Sequence, residues 1–186
     1  MRTTQKHSTG NEMKKYMILI AVGKDRPGIV DDVSTYLFER TANIEDSRMA
    51  LMGGRFTIMT LFSCDAAPLG VIKEDIGELK DLGLEASLHA AEEPAATAEE
   101  VALPLKIDVT AMDHPGIVQK IVHVFSRHNV NIHTLSTQVL SAPLSGAPLF
   151  NLSLEAAVPA ETSIAELKEA LQSQAAEMNI DLNFRT

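Results

Sequence analysis

Two copies of one short motif hold the residues of this chain that are best suited to bind a small charged molecule. Asp25-Arg26-Pro27-Gly28-Ile29-Val30 recurs 88 residues later as Asp113-His114-Pro115-Gly116-Ile117-Val118, and Asn43-Ile44 recurs at the same offset as Asn131-Ile132. An Asp carboxylate can accept hydrogen bonds from an ammonium group, and an Asn amide can both donate and accept. Gly lets a ligand approach the free N–H groups at the first turn of a helix, where a carboxylate is favoured. A zwitterion such as an amino acid fits this set of groups.

The same motif also has an explanation that needs no ligand. Pro fixes φ near a helix start, and Gly permits a tight turn with close packing. The ligand interpretation predicts weak binding, because a helix terminus contributes about 0.3–1 kcal/mol and each charge-assisted hydrogen bond about 1.5–3 kcal/mol. After association costs, dissociation constants of about 10 µM to 1 mM are expected, which suit the sensing of a metabolite.

The repeat divides the 186-residue chain into two halves with one order of elements. In the first half, apolar runs and helical spacing predict strands over 16–22, from 43, over 56–62 and over 84–89, with helices over 29–40 and 68–82. In the second half they predict strands over 105–110, 132–140, 149–156 and 180–184, and helices from 117 and behind the capping box Ser163-x-x-Glu166. Each half is therefore βαββαβ, and the chain is an α+β protein with two ferredoxin-like domains in tandem.

Domain boundaries follow from the repeat and from composition. Residues 1–14 are polar and predict a disordered tail, and residues 15–90 and 103–186 are the expected domains. Between them, residues 91–102 form an acidic, Ala-rich stretch with one Pro, which is typical of a linker.

The predicted open faces of the two sheets differ in polarity. In a ferredoxin-like domain the helices cover one face only, and strand alternation assigns the side chains of the other. In the first half that face carries Ile18, Ile20, Val22, Thr57, Met59 and Leu61, and in the second half it carries Lys106, Asp108, Thr110, Asn151, Ser153 and Glu155. The five apolar side chains of the first half predict an interaction surface, covered either from within the chain or by a partner or second copy.

Composition excludes several other classes of function. The net charge of -9, the absence of Trp and the lack of a Lys/Arg cluster argue against direct binding to nucleic acid. No apolar run approaches the roughly 20 residues that a membrane span requires. Cys64 is the single cysteine, which excludes an internal disulfide and favours a cytoplasmic protein.

Neither a metal site nor a catalytic site is predicted. His123, His128 and His133 recur every five residues, which is a poor helical interval, so we interpret them as surface residues. No Ser/His/Asp or paired-carboxylate arrangement can be located by motif. We therefore expect neither an enzyme nor a bound cofactor.

Two βαββαβ units that carry Asp-x-Pro-Gly-Ile-Val and a downstream Asn-Ile resemble ACT domains, which are small regulatory modules that commonly bind amino acids. A chain that holds a tandem ACT pair is similar to the glycine cleavage system transcriptional repressor family. The segment over residues 143–150 resembles the second-domain hairpin of that family.

The resemblance implies an amino-acid-responsive regulator that lacks catalysis. ACT units typically associate side by side, with effectors near the interface between the Gly-containing loop of one unit and the second strand of its neighbour. Carried over residue by residue, the ligand-binding positions are Asp25, Pro27, Gly28, Ile29, Asn43 and Ile44, and Asp113, Pro115, Gly116, Ile117, Asn131 and Ile132.

The resemblance further implies a small amino acid of the glycine or serine class as ligand, a protein partner such as a transcription activator, and a homo-oligomer. Arg26 in one loop against His114 in the other predicts that the two sites differ in ligand preference. The alternative is a non-sensing assembly module whose apolar sheet face, formed by Ile18, Ile20, Val22, Met59 and Leu61, mediates oligomerisation.

Overall fold

The computed structural model describes residues 14–94, 102–142 and 146–185. Contacts divide the chain into two compact units, Met1–Ala96 and Thr97–Thr186. The predicted tail over 1–14 lies outside the described residues except for Lys14, and most of the predicted linker over 91–102 does as well. Part of the segment over 143–150 is also outside them.

The first unit has the order βαββααβ. Its elements are β1 (Lys15–Lys24), α1 (Ile29–Glu39), β2 (Asn43–Met52), β3 (Arg55–Cys64), α2 (Ala66–Asp75), α3 (Glu78–Asp81) and β4 (Leu84–Ala91). The four strands form one sheet in the order β2-β3-β1-β4, and every neighbouring pair is antiparallel. β2 is therefore an edge strand, and β1 and β3 are central.

The second unit repeats this architecture. Its elements are β5 (Leu103–Met112), α4 (Ile117–Arg127), β6 (Asn131–Ser141), β7 (Pro148–Val158), α5 (Ile164–Met178) and β8 (Asp181–Arg185). The sheet order is β6-β7-β5-β8, again with antiparallel neighbours. The prediction of two ferredoxin-like α+β units is confirmed.

Each unit buries one face of its sheet beneath its helices. In β1 the side chains of Leu19 and Ala21 are fully buried, and in α1 Val33 and Leu37 are buried at helical spacing. The second unit uses Ile107, Val109, Ile121 and Phe125 in the same way, within its own cluster of buried residues. Full burial of such a side chain contributes about 1.5–3 kcal/mol, which makes this packing the main favourable term in folding.

The predicted helix over residues 68–82 is two helices in the structure. Ile72 of α2 and Leu79 of α3 are both buried, but Ile76 and Gly77 interrupt the helix between them. The helix breaks here because Gly has low helix propensity. The apolar side chains nevertheless keep helical spacing across the break. In the second unit α5 is one helix of 15 residues, and the Ser163 hydroxyl accepts from the backbone N–H of Glu166 at 3.3 Å, as expected of an N-cap.

Candidate ligand-binding loops

Both repeated loops end in a glycine with left-handed backbone geometry. Gly28 has φ of 89° and Gly116 has φ of 99°, and they are the N-cap residues of α1 and α4. Their carbonyl groups accept the first helical hydrogen bonds, from Asp32 at 2.9 Å and from Lys120 at 3.0 Å. Within the described ranges no side chain caps either first turn. Free N–H groups therefore point out of two helix starts, where an anion is favoured.

The space in front of both glycines is open. A Cβ atom added at Gly116 meets no atom within 4 Å, and at Gly28 the nearest atom is Nη1 of Arg26 at 3.8 Å. A side chain at either position is disfavoured by φ and not by contact, since L residues other than Gly rarely adopt this geometry. A ligand can thus reach the backbone of both loops.

The loops lie beside the hairpin that joins the second and third strands of each unit. The N–H of Asp25 donates to the carbonyl of Gly54 at 3.2 Å, and the N–H of Asp113 donates to the carbonyl of Pro148 at 3.2 Å. Both Asp residues are exposed. Each carboxylate is therefore held near a helix start by its backbone, with its side chain in solvent.

Arg26 braces the first loop through three contacts. Its Nη2 lies 2.5 Å from the carboxylate of Asp32 in α1 and donates to the carbonyl of Leu82 at 2.9 Å, and its Nη1 donates to the carbonyl of Pro27 at 3.3 Å. The corresponding His114 makes one contact, between Nδ1 and the carbonyl of Pro115 at 3.0 Å. Because a carbonyl accepts only, this geometry requires the proton on Nδ1. The first loop is tied to two other segments, and the second is tied to itself.

Asn43 lies at the opposite end of its unit from Gly28. In the sheet Asn43 is opposite Ser63, which is opposite Tyr16 near the start of β1, whereas Asp25 follows the end of β1. Along the chain, Asp25 is nine residues beyond Tyr16, which corresponds to about 30 Å at about 3.3 Å per residue. The structure brings Asp25 and Gly28 together, but it does not bring Asn43 to them within one unit.

The second unit repeats that separation. Asn131 is opposite Ala157, which is opposite Pro104 near the start of β5, while Asp113 and Gly116 follow the end of β5. Neither unit by itself therefore assembles the complete set of Asp, Gly and Asn that the sequence analysis put forward.

A polar cluster surrounds Asn43 that the sequence analysis did not identify. The register shifts between Ile44 and Asp46, so that Glu45 occupies a β-bulge. Its carboxylate accepts from the Ser63 hydroxyl at 2.6 Å and from the Asn43 amide at 3.0 Å. These hydrogen bonds, that of Ser63 first, hold the pKa of Glu45 below its ordinary value. Since the register of the strands decides these contacts, no local motif could have revealed them.

The matching bulge of the second unit has different chemistry. The register shifts there between Ile132 and Thr134, which places His133 where the first unit has Glu45. Ala157 takes the position of Ser63. The two Asn residues therefore have an acidic environment in one unit and an imidazole in the other.

A comparison with protein-family models decides the family. The model described as the ACT domain matches this chain twice, over residues 15–89 and 104–185. The chain belongs to the ACT domain family. The two matches cover the two βαββαβ units, so each carries one ACT domain with its own Gly loop.

Known proteins align with most of the length of this chain. The glycine cleavage system transcriptional repressor of Escherichia coli (strain K12) is 26% identical over 164 residues, which are 88% of this chain and 86% of the relative. A crystal structure of an unknown protein from Galdieria sulphuraria is 28% identical, with a TM-score of 0.79. The superposition covers 92% of this chain and 98% of that protein. A crystal structure described as a glycine cleavage system transcriptional repressor, 21% identical with a TM-score of 0.71, shares the fold over 93% of this chain and 97% of its own.

The remaining candidate residues of this tandem ACT protein lie apart from the Gly loops. His123 and His133 are exposed, and His128 contacts the carbonyl of Val124 through Nδ1 at 2.8 Å. Among the residues that the structure describes, no group of three or more His, Cys, Asp or Glu is arranged to hold a metal. Cys64 is buried, and burial raises the pKa of its thiol. In the same ranges no helix is both long and apolar enough to cross a membrane.

Proposed function

We propose that this tandem ACT protein is an amino-acid-responsive regulator that acts through a protein partner and has no catalytic activity of its own. Its ligand is a small amino acid of the glycine or serine class. The observation that carries the proposal is the pair of uncapped helix starts behind Gly28 and Gly116, each next to an exposed Asp. The ligand carboxylate binds the first-turn N–H groups, and the ammonium group binds the Asp side chain.

Association through the edge strands can bring Asn43 to this site. In β2 every residue except Ser47 is exposed, and in β6 every residue except Ile132 is exposed. A long edge strand with free N–H and C=O groups is a template for pairing with another strand. Association of ACT units through such edges, in a homo-oligomer, is the arrangement that we propose.

Antiparallel pairing of β2 with β2 of a second copy brings the set of ligand groups together. It lays Asn43 of one copy beside the Met52 end of the other. That end leads into the hairpin whose Gly54 carbonyl accepts from Asp25. The Asn amide of one copy then lies near the Gly loop of the other, where it can bind the ligand carboxylate or ammonium group. The 30 Å separation within one unit thus favours a site that is completed by association.

The regulatory part of the proposal rests on charge and on the relatives. A protein of net charge -9 is repelled by nucleic-acid phosphates, so contact with a target gene is best made by another protein. The Escherichia coli relative is a transcriptional repressor by name. We therefore propose a transcription activator as the class of partner for this chain.

Titration calorimetry with a panel of amino acids tests the ligand proposal. Glycine or serine should give saturable heat with a dissociation constant of about 10 µM to 1 mM. Gly28→Ala or Gly116→Ala should remove the heat of its own site. Gly83→Ala is the matched control, because Gly83 has φ of 80° and open space around it but lies outside both loops. If the wild-type protein gives no heat of binding with any amino acid of the panel at 10 mM, the proposal is wrong.

Replacement on the edge strand tests whether association completes the site. Leu51 is 60% exposed on β2, and a Leu51→Lys substitution places a charge that opposes strand pairing without touching the Gly loop. It should lower the assembled mass in light scattering and weaken the heat of ligand binding together. Unchanged affinity in a protein whose mass has fallen would refute the shared site.

A further inference from the structure

The open faces of the two sheets are built from opposite chemistries. In the second unit the face is a polar network: Lys106 lies 2.9 Å from Glu155, Arg185 lies 2.8 Å from Asp108, and the Thr110 hydroxyl donates to Asn151 at 2.9 Å. Such a network satisfies its own charges in solvent. In the first unit the corresponding positions of the two central strands hold Thr57 and five apolar side chains, Ile18, Ile20, Val22, Met59 and Leu61, here called the apolar face. Four of them are half-buried and Met59 is 45% exposed.

We propose that the apolar face binds the apolar face of a second copy of this chain, as a symmetric sheet-on-sheet interface. This surface is the open face of the sheet, whereas the ligand site is proposed to form through the free backbone groups at the edge of β2. The partner is assigned from the order of side chains across the face, from its charges and from its area.

The rows of the sheet make the face complementary to itself. From β2 to β4, successive rows are Asp46, Leu61, Ile18 and His89; then Arg48, Met59, Ile20 and Ser87; then Ala50, Thr57, Val22 and Glu85. A two-fold axis parallel to the central strands exchanges β2 with β4 and β3 with β1. Leu61 of one copy then packs on Ile18 of the other, and Met59 packs on Ile20.

The same axis sets polar side chains against each other along both margins of the interface. Asp46, whose carboxylate is ion-paired with Arg48 of its own strand, faces His89 of the other copy in the same row, and Arg48 lies diagonally across from Glu85 of the other copy. Because the interface is symmetric, each of these contacts occurs twice. Complementary charges at the rim fix register and exclude other arrangements.

An alternative axis, perpendicular to the strands and through the row of Arg48, is disfavoured by the same residues. It lays β2 of one copy on β2 of the other, so that Arg48 faces Arg48 and Met59 faces Met59. Like charges at a close interface oppose association. With the parallel axis the corresponding opposition is between Lys24 and Arg55 at the end of the face, where solvent screens two long, exposed side chains.

The area of the face suffices for a specific dimer. Four strands about 4.8 Å apart and ten residues of about 3.3 Å each give about 600 Å² per copy, or about 1,200 Å² for both. That total is at the lower limit of standard specific interfaces, with an apolar centre and a charged rim as such interfaces have.

Light scattering and sedimentation of the full chain test the proposal. Met59→Arg should halve the assembled mass at tens of micromolar, because it puts a charge in the centre of the face. Val71→Arg is the matched control, since Val71 is 47% exposed on α2, and the helices cover the other face of the same sheet. An unchanged mass for Met59→Arg, or a monomeric wild-type protein, would overturn the inference. The heat of glycine binding at the second loop should survive Met59→Arg, which separates this test from that of the ligand site.

A charge exchange at the margin provides a second test that does not depend on the centre of the face. His89→Asp sets Asp against Asp46 of the other copy, and Asp46→His sets His against His89. Either substitution alone should weaken the dimer, with a dissociation constant at least threefold higher. The double variant, which restores a carboxylate–imidazole contact in the reversed sense, should recover the affinity of the wild-type protein. Failure of that recovery, with both single variants folded and weakened, would refute the proposed axis.

Discussion

The Ser63 hydroxyl donates a 2.6 Å hydrogen bond to the carboxylate of Glu45, in a unit whose duplicate has Ala157 and His133 at the same positions. Ser63 is almost completely buried, so its donor has a fixed direction. The amide of Asn43 adds a second donor at 3.0 Å. The side chain of Asn43 is therefore oriented by a neighbouring carboxylate in the first unit. The second unit lacks both the carboxylate and the serine that would orient Asn131 in this way.

The first prediction concerns the pH dependence of this contact. Hydrogen bonds lower the pKa of Glu45 in the folded protein, so the ionised group stabilises the fold above its unfolded pKa of about 4.3 and loses that contribution as the pH falls through its folded pKa. Ser63→Ala should raise the pKa of Glu45, measured by NMR titration. The stability difference between wild type and Ser63→Ala should be present at pH 7 and shrink at pH 3.

Ser87→Ala is the control for that measurement. Ser87 lies on β4, where its hydroxyl contacts His89 of the same strand, and it does not contact Glu45. If Ser87→Ala and Ser63→Ala shift the pKa of Glu45 equally, the assigned hydrogen bond is not its cause.

The second prediction concerns the bracing of the first Gly loop by Arg26. The pair with Asp32 is partly exposed, so Arg26→Ala should cost less than about 1 kcal/mol of stability. Hydrogen exchange of the amides over residues 27–32 should nevertheless accelerate, because the loop loses its ties to α1 and to the carbonyl of Leu82. Lys24→Ala, at the exposed end of β1, should leave that exchange unchanged.

The converse change in the second unit requires two substitutions. His114→Arg alone supplies the guanidinium, but the position equivalent to Asp32 is Lys120, which repels it. Exchange over residues 115–120 should slow only in the double variant His114→Arg, Lys120→Asp. Equal slowing by the single substitution would show that the ion pair is not what braces the loop.

Most of the fold followed from the sequence because the determining signals can be read without knowledge of the tertiary contacts. Alternation along the strands, helical spacing after each Gly and the 88-residue repeat specify the elements, and two linked βαββαβ units satisfy them all. The side-chain pattern does not predict the helix break at Gly77, because Ile72, Ile76 and Leu79 keep helical spacing through it. There the backbone preference of Gly overrode the pattern of side chains.

The candidate site was only partly predictable, since its residues are related by long-range geometry. Gly28 and Asn43 are 15 residues apart in sequence, yet α1 returns the chain to the far end of the sheet before β2 begins. Whether such residues cooperate depends on how units associate, which residue types alone do not encode. The contact of Glu45 with Ser63 depends on a bulge in the register of β2, and a shift of one residue there would turn the side chain to the other face.

The third prediction concerns Gly23, where there is no room for a side chain. A Cβ atom at Gly23 would lie 2.6 Å from Cδ2 of Leu84 and 2.7 Å from the carbonyl oxygen of Gly83, so the backbone at Gly83, just before β4, must move. Gly23→Ala should cost about 1–3 kcal/mol in chemical denaturation. The duplicate position is Ala111, where a methyl group is accommodated, and Ala111→Gly should cost about 0.5–1 kcal/mol. A neutral Gly23→Ala variant would contradict the close approach of the two strands.

The last prediction concerns Arg40, which joins α1 to both helices on either side of the break at Gly77. Its guanidinium lies 4.1 Å from the centre of the Tyr36 ring, 3.2 Å from the carboxylate of Asp75 and 2.6 Å from that of Glu78. The side chain is only 11% exposed, so these contacts are partly shielded from water. A planar guanidinium can lie flat on a ring while its edge donates to two carboxylates, whereas an ammonium group is a compact charge without a planar face.

Arg40→Lys should therefore destabilise the first unit by about 1–3 kcal/mol, although it conserves the charge. Tyr36→Phe is the matched comparison, because it keeps an aromatic ring under Arg40 and removes only the hydroxyl that donates to the carbonyl of Ile72 at 2.8 Å. That change should cost about 0.5–1.5 kcal/mol. Urea denaturation measures both values. If Arg40→Lys costs no more than an exposed substitution such as Lys80→Ala, the stacked guanidinium does not hold α2 and α3 in place, and the packing of Ile72 and Leu79 alone suffices.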